Sequence, residues 1–565
     1  MNTAYWNTHF SETVIEELIA QNIRHFCIAP GSRSSALSLA AKRNPLAKVW
    51  THFDERGLGF IALGLSKVHK EPVVIIVTSG SALANLLPAV IEAFQTHTPL
   101  VVLTADRPPE QHQSMANQTI EQYDFFNPFI RFHFQFPPPS SEIPESFTKS
   151  MVAHGVFIAN SENGGPIHLN CQFRTPLVHS AIKERPFFSP KTQFKTVKRT
   201  LSEGEALEIQ RNILRYEKGV IVVGETNVIN PKQILELSKH LGWPLILDPL
   251  SNCRKLPSHH AILQNYENLL NELKPDIVLK FGDRFVSKKM DSWLNTIAEV
   301  VFVSPHTQRC DPEHAITYRL VMDASQFIHD IIQYTPRRLP SNFSKNCGEL
   351  AGVSKESIDK ALFEDPLISE IAFIRLLSKS SIFFNTFIGN SMPIRHVDRV
   401  FYPEESRGDL FANRGHSGID GNIATAIGIA LKKERMTVAL LGDMTFWHDF
   451  NSLFFLKKNP VPLLLIVFNN GGGQIFNYLE GVKDLFEKEE LFLMPNELDY
   501  KQVANLFELE YHYFNEDVCI ETLLKKKVPI LLEIKTYHAD DVKHVERLKT
   551  TLEWNLKDKL SLLYS

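Results

Sequence analysis

Apolar residues in this chain come in short unbroken runs. VVIIVTSG (73–80), PLVVLTAD (99–106), GVIVVGETN (219–227), DIVLKFGDR (276–284), TVALLGD (437–443) and PLLLIVFNN (462–470) are rich in Val, Ile and Leu. Each ends in Gly, Asp, Asn or Arg and is followed by residues with helical spacing. Unbroken runs suit parallel strands covered on both faces, whereas a half-exposed strand alternates. The helical stretches between them, such as Ser81 to Gln95, make strand–helix–strand units. Right-handed crossovers wind such units into doubly wound sheets, whose ligands lie at the carboxyl ends of the strands.

The runs fall into three blocks. The first contains HFCIAPGSRS, VWTHFDERG and the two runs ending at Gly80 and Asp106; the second contains GVIVVGETN, PLILDPLS, DIVLKFGDR and VVFVSPH. The third contains SIFFNTFIGNS, GDLFANRGHSG, TVALLGDMT, PLLLIVFNNGGG and PILLEIKT. Polar, basic, proline-containing stretches at 183–199 and 334–347 separate the blocks, while FPPPSSEIPES (136–146) reads as a loop inside the first. The predicted class is α/β: three doubly wound parallel-sheet domains over 1–184, 198–336 and 350–565, each of ordinary domain size.

Composition narrows the function. A chain of 565 residues exceeds what one core serves, and 44% hydrophobic with 22% charged residues is ordinary for a globular protein. A formal net charge of -4 gives no general attraction to nucleic acid or an anionic membrane. The six cysteines, at 27, 171, 253, 310, 347 and 519, form no CxxC pair and read as reduced cytosolic thiols. The N-terminus has no basic region leading into an apolar core, and runs such as VPLLLIVF are too short to span a bilayer. A cytoplasmic protein with neither a nucleic-acid partner nor membrane insertion is expected.

Two features carry candidate chemistry. Gly442 to Asn470 spans 29 residues, room for one strand–helix–strand crossover, so adjacent strands would present Asp443 and Asn470 side by side. With a backbone carbonyl near Gly472 they form an incomplete shell of hard oxygens, which Mg²⁺ completes with phosphate oxygens and water. The glycines 471–473 would let a diphosphate approach the backbone, although Asp and Asn are also ordinary turn residues. In THFDERG, Asp54 and Glu55 stand where an apolar run gives way to a helix, a place where a capping role alone accounts for acidic residues. Strand ends also carry Ser32 and Arg33, Arg107, Lys288 and Lys289, Ser391 and Arg395, and Arg414. Arg forks recognise carboxylates, so cations in one predicted cleft suit a substrate with several of them.

Gly-Asp followed by Asn-Asn about thirty residues on, within three α/β blocks, resembles the thiamin diphosphate-dependent enzymes, with Met444 standing where that superfamily has a third-position Gly. APGSRS, THFDERGLG, VTSG, LTADRPPE, GNSMPIR, NRGHSGIDG and NNGGGQIF are similar in particular to the 2-succinyl-5-enolpyruvyl-6-hydroxy-3-cyclohexene-1-carboxylate (SEPHCHC) synthase family, MenD, of menaquinone biosynthesis. The resemblance is weaker through the middle block, where Lys289 stands at a place often held by Arg. It implies thiamin diphosphate with Mg²⁺ or Mn²⁺, with Asp443, Asn470 and the Gly472 carbonyl on the metal and Gly442 beside the cofactor. It implies that Glu55 hydrogen-bonds the aminopyrimidine ring and so enables proton removal from the thiazolium, and that Ile419 wedges between the two rings.

By the same resemblance, the reaction decarboxylates 2-oxoglutarate and adds the succinyl carbanion equivalent to isochorismate. Ser391, Arg395 and Arg414 would hold oxoglutarate; Ser32, Arg33, Arg107, Gln118 and Lys288 would hold isochorismate; and Phe476 would line the pocket. Sites shared between the first domain of one subunit and the third of another imply a homodimer or a dimer of dimers. The rival readings are an acetolactate synthase-like carboligase or oxo-acid decarboxylase, and a non-catalytic relic of the fold. FNPFIRFHFQF (126–136) and His448 read as structural, and VVGETN lacks the GxGxxG of a dinucleotide site.

Overall fold

The computed structural model describes residues 2–179, 191–226, 229–256, 262–263, 265–363, 369–402 and 408–564. Central apolar runs form strands buried at every position, as in Val73–Val77, Leu100–Asp106, Ile277–Phe281 and Leu463–Asn469, whereas the run in VWTHFDERG gives the half-exposed edge strand Lys48–Thr51, which is paired on one side only. The first sheet comprises β1 (His25–Ile28), β2 (Lys48–Thr51), β3 (Val73–Val77), β4 (Leu100–Asp106), β5 (Phe132–Phe136) and β6 (Ile167–Gln172), in the order β2-β1-β3-β4-β6-β5. The second comprises β7 (Gly219–Val223), β8 (Leu245–Leu247), β9 (Ile277–Phe281), β10 (Glu299–Ser304) and β11 (Tyr318–Val321), in the order β11-β10-β9-β7-β8. The third comprises β12 (Asn385–Ile388), β13 (Leu410–Ala412), β14 (Thr437–Gly442), β15 (Leu463–Asn469), β16 (Glu510–Tyr513) and β17 (Pro529–Lys535), in the order β13-β12-β14-β15-β17-β16. Every described strand pairing is parallel.

The first and third sheets reverse winding direction between β1 and β3 and between β12 and β14, which opens a crevice at each set of carboxyl ends. The single helix expected over Ser81 to Gln95 is two, Ser81–Ala84 and Leu87–Gln95. Pro88 lies in the first turn of the second; lacking an N–H, it begins a helix more readily than it continues one. Of the 183–199 stretch, 183–190 lie outside the described residues. The 334–347 stretch gives way at Asn342 to the helix Asn342–Phe363, which packs along the C-terminal helix His538–Tyr564.

The first and third sheets are joined by two helices in close contact, Glu55–His69 and Asn422–Ala430. They approach through facing glycines: a Cβ on Gly64 would lie 2.1 Å from the Thr425 carbonyl oxygen, and one on Gly428 would lie 2.2 Å from that of Ile61. Around this crossing Leu58, Phe60, Ile61, Leu63 and Leu65 are fully buried in one core with Ile423, Ile427 and Leu441. Burial is worth roughly 1.5–3 kcal/mol for each large apolar side chain. The helix that begins at Glu55 is thereby fixed against the third sheet of its own chain.

Candidate active site

Each helix or turn that follows a strand delivers its first residues to the carboxyl edge of a sheet. After β2, the helix Glu55–His69 is capped by Asp54, whose carboxylate accepts from the Arg56 N–H at 3.0 Å and also from the Asn451 amide. Asp54 therefore performs the capping work that the sequence left open between two carboxylates. Glu55, the first helical residue, is half-buried, and among the described residues its carboxyl makes no hydrogen bond or ion pair. Arg56 reaches the His448 carbonyl at 3.0 Å, tying this turn to the third sheet.

The other first-sheet candidates lie at neighbouring strand ends. Arg33 is buried after β1 and donates to the Phe173 carbonyl at 2.8 Å; burial and the nearby Arg107 lower its affinity for a proton. Arg107 follows β4, with its Nε buried and, among the described residues, unpartnered. Ser32 is exposed in the β1 turn. Gln118, also exposed, sits at φ 57° and exchanges two hydrogen bonds with Ser79 after β3. A cavity of about 510 Å³ opens beside this edge, lined by Gly31, Thr51, Phe53 and Phe454 among others.

The third sheet gathers a second set. β14 and β15 pair in register from Thr437↔Leu463 to Gly442↔Phe468, which sets Asp443 beside the turn that follows Asn469. Asp443 is buried; its Oδ2 accepts from the Gly472 N–H and its Oδ1 from the Met444 N–H, each at 2.6 Å. Burial raises its pKa to about 6 against the pull of these amides. Gly472 has φ 135°, and a Cβ there would lie 2.2 Å from the Leu493 carbonyl oxygen, so this position accepts only glycine. Asn470 donates from Nδ2 to Glu370 Oε1 at 2.7 Å and, among the described residues, leaves Oδ1 buried with no partner. The Gly472 carbonyl is not free as expected: it accepts from the Gln474 N–H at 2.8 Å, so only its second lone pair can be offered to a cation. Phe476, in the short helix Gln474–Tyr478, packs against Phe492.

After β12, Ser391 stands just before the helix Met392–Val400 in a strained φ 75° conformation, without a side-chain cap hydrogen bond, and Arg395 reaches back to its carbonyl. Burial, with Arg414 and Arg399 nearby, lowers the Arg395 pKa. After β13, Arg414 donates to Asn390 Oδ1 at 2.9 Å, and Ile419 lies half-buried further along the same loop. Lys288 is exposed at the start of the helix Lys288–Leu294. It adjoins the Arg395 set, because Glu267 accepts from both Ser287 and Arg399. The candidates therefore assemble in two sets within the chain. Among the described residues, no hydrogen bond or ion pair joins the first-sheet set to the third-sheet set.

Sequence reading missed the residues that hold these sets in shape. Glu92, fully buried in the helix Leu87–Gln95, accepts from the Gly415 N–H, the His416 N–H and His416 Nδ1 at 2.8–3.0 Å. Lys67 bonds the Ala412 carbonyl and Asn413. First-sheet residues thus clamp the loop carrying Arg414 and Ile419. Burial alone would raise the Glu92 carboxyl, yet Lys67, His416 and Gly415 bring it down to about 2; hydrogen bonds to Asp420 and Glu92 raise His416 to about 9. A lone Glu inside the apolar LPAVIEAF was a visible signal for Glu92; nothing in the sequence marked Glu370.

A cavity of about 730 Å³ lies elsewhere, between the first and second sheets, and among the described residues that line it there is no predicted site residue. His97, Asp283 and His306 place ligating atoms within 4.8 Å of one another there. The two imidazoles stack face to face at 3.6 Å, and the Arg131 guanidinium stands 3.3 Å from His97, which disfavours a cation.

Comparison with known proteins agrees with this architecture. Residues 8–125 match the family described as "Thiamine pyrophosphate enzyme, N-terminal TPP binding domain", residues 186–383 the "Middle domain of thiamine pyrophosphate", and residues 395–534 the "Thiamine pyrophosphate enzyme, C-terminal TPP binding domain". The crystal structure of benzoylformate decarboxylase from Polynucleobacter necessarius shares the fold, with a TM-score of 0.73 at 14% identity over 94% of this chain and 98% of that one. The SEPHCHC synthase of Aliivibrio fischeri is 32% identical over 97% of this chain and 98% of its own, and that of Psychromonas ingrahamii 36% identical over 90% and 88%. Near full-length similarity to these synthases, on a scaffold whose three sheets match the three thiamine pyrophosphate enzyme domains, means that the chain belongs to the 2-succinyl-5-enolpyruvyl-6-hydroxy-3-cyclohexene-1-carboxylate synthase family.

Proposed function

We propose that the chain is a thiamin diphosphate-dependent transferase that decarboxylates 2-oxoglutarate and joins the remaining succinyl unit to isochorismate, in menaquinone biosynthesis. One observation carries the reading. In a member of this family, a buried carboxylate, a buried amide oxygen without a partner and a glycine-only turn meet at two adjacent strand ends. An unpartnered buried oxygen costs free energy unless a bound group meets it, and oxygen donors next to open backbone suit Mg²⁺ or Mn²⁺ with a diphosphate. The donor set fits the group.

Asp443, Asn470 and the second lone pair of the Gly472 carbonyl would hold the metal, and Gly442, where a Cβ would meet nothing within 4 Å, would leave room for the diphosphate. When bound, thiamin diphosphate supplies the carbanion chemistry that lets CO₂ leave and the new carbon–carbon bond form. Glu55, free of other hydrogen bonds, would hold the proton shared with a ring nitrogen of the aminopyrimidine. Ile419 would support the ring from the clamped loop. Ser391, Arg395 and Arg414 would bind and orient the carboxylates of 2-oxoglutarate. Ser32, Arg33, Arg107, Gln118 and Lys288 would hold those of isochorismate, and Phe476 would exclude water. The separation of the two sets within a chain supports a site shared between subunits of a homodimer or dimer of dimers, acting in the cytoplasm. The same reading divides the chain into pyrimidine-binding (1–184), central (198–336) and diphosphate-binding (350–565) domains.

Purified protein with thiamin diphosphate and Mg²⁺ should consume isochorismate only when 2-oxoglutarate is present. Turnover of pyruvate alone, with bound flavin, would favour the acetolactate synthase-like alternative.

A further inference from the structure

Asn470 is useful to a cation only through its oxygen, yet the two ends of a primary amide have nearly the same shape, and rotation by half a turn would present NH₂ instead. The structure contains a device that removes this ambiguity. Asn470 Nδ2 donates to Glu370 Oε1 at 2.7 Å, and a carboxyl oxygen with that amide end directed at it leaves Oδ1 as the end on offer. Oδ1 is buried and, among the described residues, unpartnered. Glu370 is itself buried, at 2% exposure. Among the described residues its carboxyl makes no other hydrogen bond; His396 Nε2 stands 3.8 Å away.

Glu370 is held in turn. It is the first residue of the helix Glu370–Ser378, and its N–H donates to Asp541 Oδ1 at 2.7 Å. The preceding Ser369 caps that helix by accepting from the Ala372 N–H and bonds His544 Nδ1 at 2.6 Å. Asp541 and His544 both come from the C-terminal helix His538–Tyr564, so the end of the chain fixes the amide beside β15. Burying a carboxyl costs free energy that an apolar side chain would not, and helix capping does not require it, because Ser369 already caps.

We infer that Glu370 is a positioning residue: it orients the Asn470 amide so that Oδ1, and not Nδ2, faces the metal. This rests on the reading of Asn470 as a metal ligand given above. The test is Mn²⁺ titration of the full-length protein with saturating thiamin diphosphate, following the signal of free Mn²⁺ by electron paramagnetic resonance. Glu370→Leu should weaken Mn²⁺ binding by about 10–100-fold, the usual effect of losing a partner that orients a ligand. Glu370→Gln should fall between Leu and wild type, since its oxygen still accepts but its own NH₂ can turn to Asn470 instead.

The decisive arm is a double substitution. A carboxylate has an oxygen at either end, so in an Asn470→Asp background Glu370→Leu should cost no Mn²⁺ affinity. A purely structural role would weaken binding equally in both backgrounds, and that result would overturn the inference. Unchanged affinity in Glu370→Leu, with Asn470→Ala impaired, would overturn it as well. Unchanged affinity in Asn470→Ala would remove the metal-ligand reading and this inference with it. Should Glu370→Leu fail to fold, Glu370→Gln decides alone: severalfold weaker binding is expected, and wild-type binding overturns the inference.

Discussion

Gly471 and Gly472 stand next to each other in the turn after β15, yet they answer to different constraints. Both have positive φ, 80° and 135°, but a Cβ on Gly471 meets nothing within 4 Å, whereas one on Gly472 would lie 2.2 Å from the Leu493 carbonyl oxygen. Gly471→Ala should cost only the backbone penalty, about 1–2 kcal/mol, and leave Mn²⁺ binding within a few-fold of wild type. Gly472→Ala must move the turn itself, and with it both the carbonyl and the N–H that meets Asp443. At least a ~10-fold loss of Mn²⁺ affinity is expected, in line with strain of about 1–3 kcal/mol at such sites. Equal effects from the two substitutions would mean that the close contact with Leu493 does not shape the proposed metal site. At Glu55 the expectation is kinetic. Glu55→Gln should slow C2 proton exchange of bound thiamin diphosphate by about 100-fold, the usual scale of a general acid–base contribution. A near-wild-type rate would transfer the role to another carboxylate.

At the scale of elements, the loop 413–420 depends on charge from a different sheet. His416 in the folded protein holds its proton up to about pH 9 against an ordinary 6.5, so its contribution to stability is complete below 6.5 and is lost as pH rises through 9. Glu92 is lowered from 4.5 to about 2, so its contribution is complete above 4.5 and is lost as pH falls through 2. The clamp is therefore at full strength between about pH 4.5 and 6.5. Glu92→Gln, which removes the charge that the part-buried Lys67 and His416 face, should destabilise by about 1.5–3 kcal/mol near pH 6. The gap in unfolding midpoint to wild type should shrink between pH 6.5 and 9 without closing, as Lys67 still faces Glu92. A gap constant over that range would show that the His416 proton plays no part in the clamp.

The elements also show which parts of the molecule were written locally in the sequence. Strands buried on both faces, such as β3, β4, β9, β14 and β15, are continuous apolar runs, and the ends of β14 and β15 pointed to Asp443 and Asn470, whereas Glu55 follows the half-exposed edge strand β2. The edge strands β11 (YRLV) and β16 (EYHY) were missed, because pairing on one side asks for neither length nor apolar continuity. The choice between Asp54 and Glu55 could not be made from spacing alone; it turns on a cap hydrogen bond and on Asn451, almost four hundred residues away. Glu370 escaped for the same reason, since its partners come from distant segments, and the apolar setting that marked Glu92 as buried said nothing of its partners at 415 and 416.

For the molecule as a whole, the division of the candidate residues decides what a single chain can do. The Glu55–His69 and Asn422–Ala430 helices lock the first and third sheets together through Gly64 and Gly428, so the two sets have little freedom to rotate toward each other within the chain. Under the proposed function, the missing half would come from a second copy, as symmetric assemblies permit. Co-expression of two inactive variants tests this directly. If sites form between chains, a dimer of one Glu55→Gln chain and one Asp443→Asn chain has one site carrying both lesions and one carrying neither. Random pairing would restore about a quarter of wild-type activity. If each chain builds its own site, every site in the mixture carries one lesion and no activity returns.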